Sequence, residues 1–280
     1  MAYDYYEEEG GWKKNFEIVI PVILLIVVLV ILGWNMGWLA GIPVLGNLFG
    51  TAQVNTLIVG DDGTISDIIQ TQLAAEYAIN VEIMTPQEIS EKLDPTFIEK
   101  YNLLIMTEGS NGEGLSMPRK ALDNIRHYHS TGKPILFIGR SGYLVTGSTQ
   151  ERGWSVLGFV PVQCVDEVEE CDSTTGTFTG GWAQVSGYAN TFMYSRSTDH
   201  PLSSGLKDKL EFGSSAGNIH YVKVAPTTGT EVWQLETEAG RVPGVVYSTG
   251  VTGGKVAYFA LHPKDQIPLL RNAIKTLTGV

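Results

Sequence analysis

Positive charge is scarce in this sequence. Its 280 residues include 19 Lys and Arg against 30 Asp and Glu, which gives a formal net charge of −11 at pH 7. Nucleic-acid binding depends on clustered basic side chains that contact phosphate groups. The charge balance therefore argues against DNA or RNA as a partner.

Signatures of metal and nucleotide sites are also missing. The sequence contains no HExxH pattern and no CxxC pattern. His127 and His129 lie two residues apart on a predicted helix, so their side chains do not face each other. The turn Gly60-Asp61-Asp62-Gly63 lacks the Lys and the glycine spacing of a phosphate loop, and its carboxylates would repel phosphate. We expect no bound metal and no cofactor.

Charged residues are absent between Glu17 and Asp61. The run IVIPVILLIVVLVILG begins at Ile18, and buried helices of globular domains rarely extend this far without a charge. The pattern predicts a transmembrane helix at 17–41, after a tail at 1–16 and before an apolar connector at 42–53. The alternative is a cleaved signal peptide. Its hydrophobic region would be about 7–15 residues long, whereas here the apolar stretch continues, so we expect the segment to be retained.

Basic residues near this segment predict its orientation. Lys13 and Lys14 directly precede it, and the first basic residue after it is Lys92. The positive-inside rule then places the N-terminus in the cytoplasm and the domain at 54–280 outside. The predicted localisation is the cell membrane, as a single-pass protein with the lipid bilayer as a partner.

Cysteine is limited to Cys164 and Cys171. In an oxidising compartment these two residues would close a short loop as a disulfide. The alternative is two unpaired thiols in a reducing compartment. The disulfide prediction therefore depends on the predicted orientation.

Short apolar runs alternate with amphipathic segments in the first half of the domain. Strands are predicted at 54–61, 81–85, 101–109 and 133–139, and helices at 65–79 and 117–132. This alternation is typical of right-handed βαβ units, and it predicts an α/β fold with a mostly parallel, doubly wound sheet and helices on both faces. Residues 145–218 lose the alternation and are expected to form an insertion. Further strands are predicted at 220–225, 230–236, 243–248 and 255–261, before a closing helix at 268–279.

Three segments at predicted strand ends resemble the class I glutamine amidotransferase-like family. They are YNLLIMTEGSNG (101–112), PILFIGRSGYL (134–144) and GGKVAYFALHPKD (253–265). The resemblance implies a flavodoxin-like sheet over residues 54–280. It also implies a Gly-x-Cys-x-Gly elbow for a nucleophile, a His-Pro-Glu segment for its base, and a glycine-rich loop that binds an oxyanion.

The residues at these places depart from the family pattern. Ser141 stands where the family has its cysteine, in Gly139-Arg140-Ser141-Gly142-Tyr143, and His262-Pro263-Lys264 replaces His-Pro-Glu. A hydroxyl is a weaker nucleophile than a thiolate and needs a well-oriented base. Lys264 in the place of the acid would disfavour the imidazolium that forms during attack. Glu108, in the loop with Gly109 and Ser110, would repel an oxyanion.

These departures predict a pseudoenzyme that serves binding or assembly at the cell surface. The candidate ligand-binding residues are Glu108, Gly109, Ser110, Arg140, Ser141 and His262. The expected partners are other membrane or surface protein subunits, including copies of the same chain, and the sequence leaves a discrete complex and a filament as alternatives. The apolar connector favours assembly.

Two other functions remain open at this stage. The first is a membrane-tethered serine hydrolase or amidase, with Ser141 as nucleophile, His262 as base and Asp265 as the acid. The second is recognition of a carbohydrate or small ligand on Trp154, Trp182 or Trp233. Core packing is the favoured use of each tryptophan.

Overall fold

The computed structural model describes the chain from Gln53 onwards, with gaps. The described residues are 53–60, 63–73, 78–92, 94–108, 115–142, 144–145, 152–164, 186–189, 192–211, 219–238, 240–250 and 253–280. Gln53–Thr278 forms one compact unit. The predicted tail, the transmembrane helix and the connector up to residue 52 lie outside the described residues, as does Cys171 of the predicted disulfide. The domain boundaries thus stay a prediction.

In the described part of the chain, strands account for most of the regular structure. In chain order they are β1 Val54–Val59, β2 Ile79–Met84, β3 Leu103–Met106, β4 Leu115–Ser116, β5 Ile135–Ile138, β6 Leu144–Val145, β7 Arg152–Gly153, β8 Val162–Cys164, β9 Ser186–Ala189, β10 Phe192–Ser195, β11 Lys209–Glu211, β12 Ile219–Val222, β13 Val224–Pro226, β14 Thr230–Thr237, β15 Gly240–Thr249 and β16 Lys255–Phe259. The strands β1, β3 and β5 coincide with the predicted apolar runs, because each is buried on both faces.

Helices are fewer. They are α1 Gly63–Ile68, continued by a π-helical segment Ile69–Leu73, then α2 Pro86–Lys92, α3 Pro95–Glu99, α4 Arg119–Ser130 and α5 Ile267–Thr278. The Asp94 side chain caps α3 by accepting a hydrogen bond from the N–H of Phe97 at 2.7 Å. The helix α4 ends at Ser130, two residues before Gly132, whose φ of 86° is a conformation that glycine adopts readily where a helix ends.

Nine strands form one sheet in the order β11-β10-β14-β15-β16-β5-β3-β1-β2. Strands β2, β1, β3, β5 and β16 run parallel to one another. The remaining pairings, from β16 through β15, β14 and β10 to β11, are antiparallel.

The predicted fold class needs correction on two points. The sheet is mixed rather than mostly parallel, because β14 and β15 are joined by only two residues and such a connection can join only antiparallel strands. The predicted transmembrane helix has no counterpart among the described helices: in the described part of the chain, no helix is both long and apolar enough to cross a membrane.

The main core lies between one face of the sheet and the helices α3 and α4. Leu57 of β1, Leu104 of β3, Phe137 of β5 and Tyr258 of β16 all point into it. Side chains of a strand alternate between faces, so the neighbouring residues point to the other face of the sheet. This packing fixes the ends of β3, β5 and β16 relative to one another.

Candidate functional site

The three segments singled out in the sequence lie together at the carboxyl ends of three neighbouring strands. The strands β3, β5 and β16 are parallel neighbours, with Met106 paired to Phe137 and Ile138 paired to Phe259. Their carboxyl ends therefore lie side by side. Glu108 follows β3, the turn Gly139–Gly142 follows β5, and His262 follows β16.

The turn Gly139–Gly142 is a single 3₁₀ turn, buried throughout and referred to below as the elbow turn. The hydroxyl oxygen of Ser141 accepts a hydrogen bond from the N–H of Ile138 at 2.9 Å, and Ser141 is 0% exposed. The ring of Trp154 packs on Gly142 so closely that a Cβ there would lie 2.7 Å from Cζ3. The Ser141 hydroxyl thus points back to the end of its own strand β5, and Trp154 packs on the residue after it.

Glu108 contacts the start of the elbow turn. Its Oε1 accepts a hydrogen bond from the backbone N–H of Arg140 at 2.7 Å. A Cβ on Gly139 would lie 1.4 Å from the same oxygen, and Gly139 has a φ of 61°. Only glycine fits both the backbone conformation and the carboxylate. Gly109 and Ser110, the other members of the predicted oxyanion loop, lie outside the described residues.

Tyr258 completes this buried cluster and was not predicted from the sequence. Its hydroxyl donates a hydrogen bond to the carbonyl of Gly139 at 2.9 Å. Burial raises the pKa of Tyr258 well above its usual value, and the negative charge of Glu108 raises it further while Arg140 lowers it. The only sequence signal was a hydroxyl-bearing residue within the apolar strand KVAYF.

His262 caps a short turn. Its Nδ1 accepts a hydrogen bond from the N–H of Lys264 at 3.2 Å, at the start of the 3₁₀ turn Pro263–Asp265. His200 makes the same bond to Leu202 at 3.2 Å before the 3₁₀ turn Pro201–Ser203. The His-Pro dipeptide thus forms the same cap at two places in this chain.

The cap determines which ring nitrogen of His262 carries the proton. A backbone N–H can only donate, so Nδ1 is the acceptor and the proton of the neutral ring lies on Nε2. A catalytic base of the Ser-His-Asp type requires the opposite arrangement, with Nδ1–H bonded to an acid and Nε2 free to accept the serine proton. The side chain of Asp265, the predicted acid, lies outside the described residues.

The remaining sequence candidates have structural roles where they are described. Trp154 is 3% exposed and Trp233 is 0% exposed, so both belong to the core, while Trp182 lies outside the described residues. Nε2 of His129 contacts the carbonyl of Gly254 at 2.9 Å, and its ring stacks on Phe159 with centroids 3.9 Å apart. Within the described ranges, no three His, Cys, Asp or Glu side chains are grouped to hold a metal ion.

Comparisons with known proteins identify the fold but no function. No protein-family model matches the chain, and no curated protein matches it. A ThuA-like protein from Bacteroides uniformis is similar in structure with a TM-score of 0.52 and 11% identity, over 80% of this chain and 91% of that chain. A cytoplasmic protein from Salmonella typhimurium has a TM-score of 0.51 and 12% identity, over 79% of this chain and 98% of that one.

A second cytoplasmic protein, from Salmonella typhimurium LT2, has a TM-score of 0.52 and 14% identity, over 80% of this chain and 99% of that chain. These similarities correct three predictions. The assignment to the class I glutamine amidotransferase-like family, on a membrane anchor, was wrong. The cell-membrane localisation and the extracellular, cell-surface role are withdrawn, since two of the similar structures are of proteins described as cytoplasmic. At these identities the likeness shows the fold alone, and the chain shares that fold with a ThuA-like protein.

Proposed function

We propose that this domain is non-catalytic and acts through binding or assembly with protein partners. The observation that carries the proposal is the position of Ser141, whose hydroxyl is fully buried and accepts a hydrogen bond from Ile138. A nucleophile must reach the substrate carbon with an available lone pair. A serine with 0% exposure does not meet that requirement.

The surroundings of the elbow turn support the same proposal. An oxyanion hole needs backbone N–H groups that point at the place where negative charge develops. Here the N–H of Arg140 already donates to the carboxylate of Glu108. The carboxylate therefore places a negative charge beside the turn that carries Ser141, and it would repel an oxyanion that develops there.

The tautomer of His262 is the third support. With Nδ1 accepting from Lys264 and the proton on Nε2, the ring has no lone pair to offer to a serine hydroxyl. The hydrolase alternative would require His262 to leave its cap and Ser141 to leave its buried position. We therefore assign the elbow turn and the His262 cap a structural role in holding the carboxyl ends of β5 and β16.

The partners proposed are protein subunits, including copies of the same chain. The net charge of −11 argues against nucleic acid. The role proposed is a scaffold whose sheet is presented to another subunit, and nothing in it requires a cofactor.

An activity probe tests the proposal. Full-length protein is incubated with a fluorophosphonate probe and the labelled residue is located by mass spectrometry, alongside Ser141→Ala and His262→Ala. Ser203→Ala serves as a matched control, because Ser203 is another buried serine, 4% exposed, that sits outside the elbow turn. The proposal expects no label on Ser141. Labelling of Ser141 that is lost in His262→Ala and kept in Ser203→Ala would establish the hydrolase instead.

A further inference from the structure

The two edges of the nine-stranded sheet differ in how they are protected. The edge strand β11 has three residues and carries Lys209 and Glu211, both exposed. The opposite edge strand β2 has six residues, and its sequence INVEIM contains no Lys, Arg or Pro. Short length and charged side chains are the usual devices that prevent an edge from pairing with another chain. The β2 edge is longer and has one charged residue, Glu82.

The outer side of β2 offers a row of backbone groups. The N–H of Val54 bonds the carbonyl of Ala78 at 2.9 Å, and the N–H of Gly60 bonds that of Met84 at 3.0 Å. With the register of the pair, this means that Asn80 and Glu82 direct their backbone groups at β1. The N–H and C=O groups of Ile79, Val81 and Ile83 point away from it. Among the described residues, β2 pairs with β1 alone.

The same three residues form an apolar stripe. Ile79, Val81 and Ile83 alternate with polar residues and so share one face of the sheet. Ile83 is 43% exposed, and the other two are half-buried. The stripe thus lies beside the open edge, where an added strand would continue it.

The one charge on the strand is directed at its own chain. Glu82 lies on the opposite face, where the Tyr101 hydroxyl donates a hydrogen bond to its carboxylate and Lys100 contacts it at 3.2 Å. The hydrogen bond from Tyr101, ahead of the contacts with Lys100, lowers the pKa of Glu82. The carboxylate is 43% exposed, and Tyr101 and Lys100 hold it on the face opposite the apolar side chains of Ile79, Val81 and Ile83.

We propose that β2 pairs antiparallel with β2 of a second copy of this chain, about a two-fold axis at Val81. This inference rests on the proposed assembly role and names its partner and its surface. The axis at Val81 pairs each outward-facing residue with one of the partner's, namely Ile79 with the partner's Ile83, Val81 with the partner's Val81, and Ile83 with the partner's Ile79. A shift of the register by two residues leaves one of these residues unpaired.

Self-complementarity is what selects a second copy over another protein. In this register the outward N–H and C=O groups of Ile79, Val81 and Ile83 all form hydrogen bonds with the partner strand. Each of the three residue pairs exchanges two hydrogen bonds. Ile83 is covered by the partner's Ile79, and Asn80 lies opposite the partner's Glu82, whose carboxylate can accept from its amide. The two sheets become one continuous sheet, as an isologous interface requires.

Cysteine cross-linking tests the register. In full-length Val81→Cys the two new thiols face each other across the axis, with Cα atoms about 5.5 Å apart, which lies within the range for a disulfide. Thr228→Cys is the control, since Thr228 is exposed in a turn far along the chain. Mild oxidation is expected to give a covalent dimer of Val81→Cys on a non-reducing gel. No such band is expected for Thr228→Cys or the wild type.

Sedimentation equilibrium tests the apolar stripe. Ile83→Lys places a charge in the stripe, and we expect it to weaken self-association by about tenfold or more. Thr228→Lys adds the same charge elsewhere and should associate like the wild type. A monomeric wild type, no cross-link in Val81→Cys, or unchanged association of Ile83→Lys would each overturn the inference. Fluorophosphonate treatment of the same samples separates the two proposals, because label on Ser141 would refute the non-catalytic function whatever the oligomeric state.

Discussion

The carboxylate of Glu108 accepts a hydrogen bond from the backbone N–H of Arg140 at 2.7 Å and lies against the Cα of Gly139. Two strand ends are thereby tied together, because Glu108 follows β3 and Gly139 follows β5. The same contact holds a carboxylate beside the turn that carries Ser141, where it would repel a developing oxyanion. The contact between Glu108 and Arg140 therefore stabilises the carboxyl ends of β3 and β5.

Gly139→Ala should be strongly destabilising. The φ of 61° costs about 1–2 kcal/mol for a residue with a Cβ, and the new methyl group would also collide with the Glu108 carboxylate. We expect a loss of about 3 kcal/mol or more in the free energy of unfolding, measured by urea titration of the full-length protein.

Gly132→Ala is the control for that experiment. Gly132 also has a positive φ, of 86°, but a Cβ there meets no atom within 4 Å. Gly132→Ala should lower the free energy of unfolding by about 1–2 kcal/mol. Equal losses in the two variants would mean that the contact with Glu108 contributes nothing.

Tyr258→Phe and Tyr128→Phe form a second matched pair. Both tyrosines are 0% exposed, but the Tyr258 hydroxyl donates to Gly139 at 2.9 Å whereas the Tyr128 hydroxyl lies 3.5 Å from the carbonyl of Tyr101. Removal of the shorter bond leaves a buried carbonyl without its donor and should cost about 1–2 kcal/mol. Tyr128→Phe should cost less than about 0.5 kcal/mol, since its bond is near the limit of hydrogen-bond geometry. The reverse order would contradict the role assigned to Tyr258.

Acid should destabilise the domain through His129. Burial lowers the pKa of this ring below its ordinary value, and the hydrogen bond to the Gly254 carbonyl offsets only part of the effect. The unfolded chain then takes up its proton first. The contribution of neutral His129 to the free energy of unfolding is fully present above about pH 6.5, the ordinary pKa of histidine. It is lost as the pH falls towards the lower pKa of the folded state.

Unfolding midpoints between pH 8 and pH 5 measure this dependence. His129→Phe keeps a ring on Phe159 and should flatten the acid limb. A residual slope is expected from His200, because burial lowers its pKa as well. An acid limb that is as steep in His129→Phe as in the wild type would show that another group is responsible.

The sequence predicted the strands that are buried on both faces and missed how the later ones pair. The runs at 54–61, 101–109 and 133–139 are apolar throughout, as in β1, β3 and β5. The later strands were predicted to end at 236 and to begin again at 243. In the structure β15 begins at Gly240 and continues through Pro243, which leaves a two-residue hairpin connection. Because the loop was predicted to extend from 237 to 242, the sequence did not indicate the hairpin or the antiparallel half of the sheet.

The strand-end positions of the candidate residues could be predicted from the sequence, but their contacts could not. The sequence predicts that Glu108, Ser141 and His262 follow strands, and parallel strands bring such ends together. Ser141 is buried, and Trp154 packs on the next residue, Gly142, from a separate segment. The tautomer of His262 depends on one backbone bond from Lys264. The contact of Trp154 has no signature in residue type or spacing, and the cap of His262 is marked only by the His-Pro dipeptide that also occurs at His200.

The central claim is that Ser141 and His262 stabilise turns and do not carry a reaction, and the tautomer of His262 tests it most directly. The measurement is the ¹⁵N NMR spectrum of histidine-labelled full-length protein near pH 8, with the His262 signals assigned by their loss in His262→Gln. The account predicts a bare, hydrogen-bond-accepting Nδ1 and a protonated Nε2. A protonated Nδ1 with a bare Nε2 would contradict it, because that ring would be oriented as a base for Ser141.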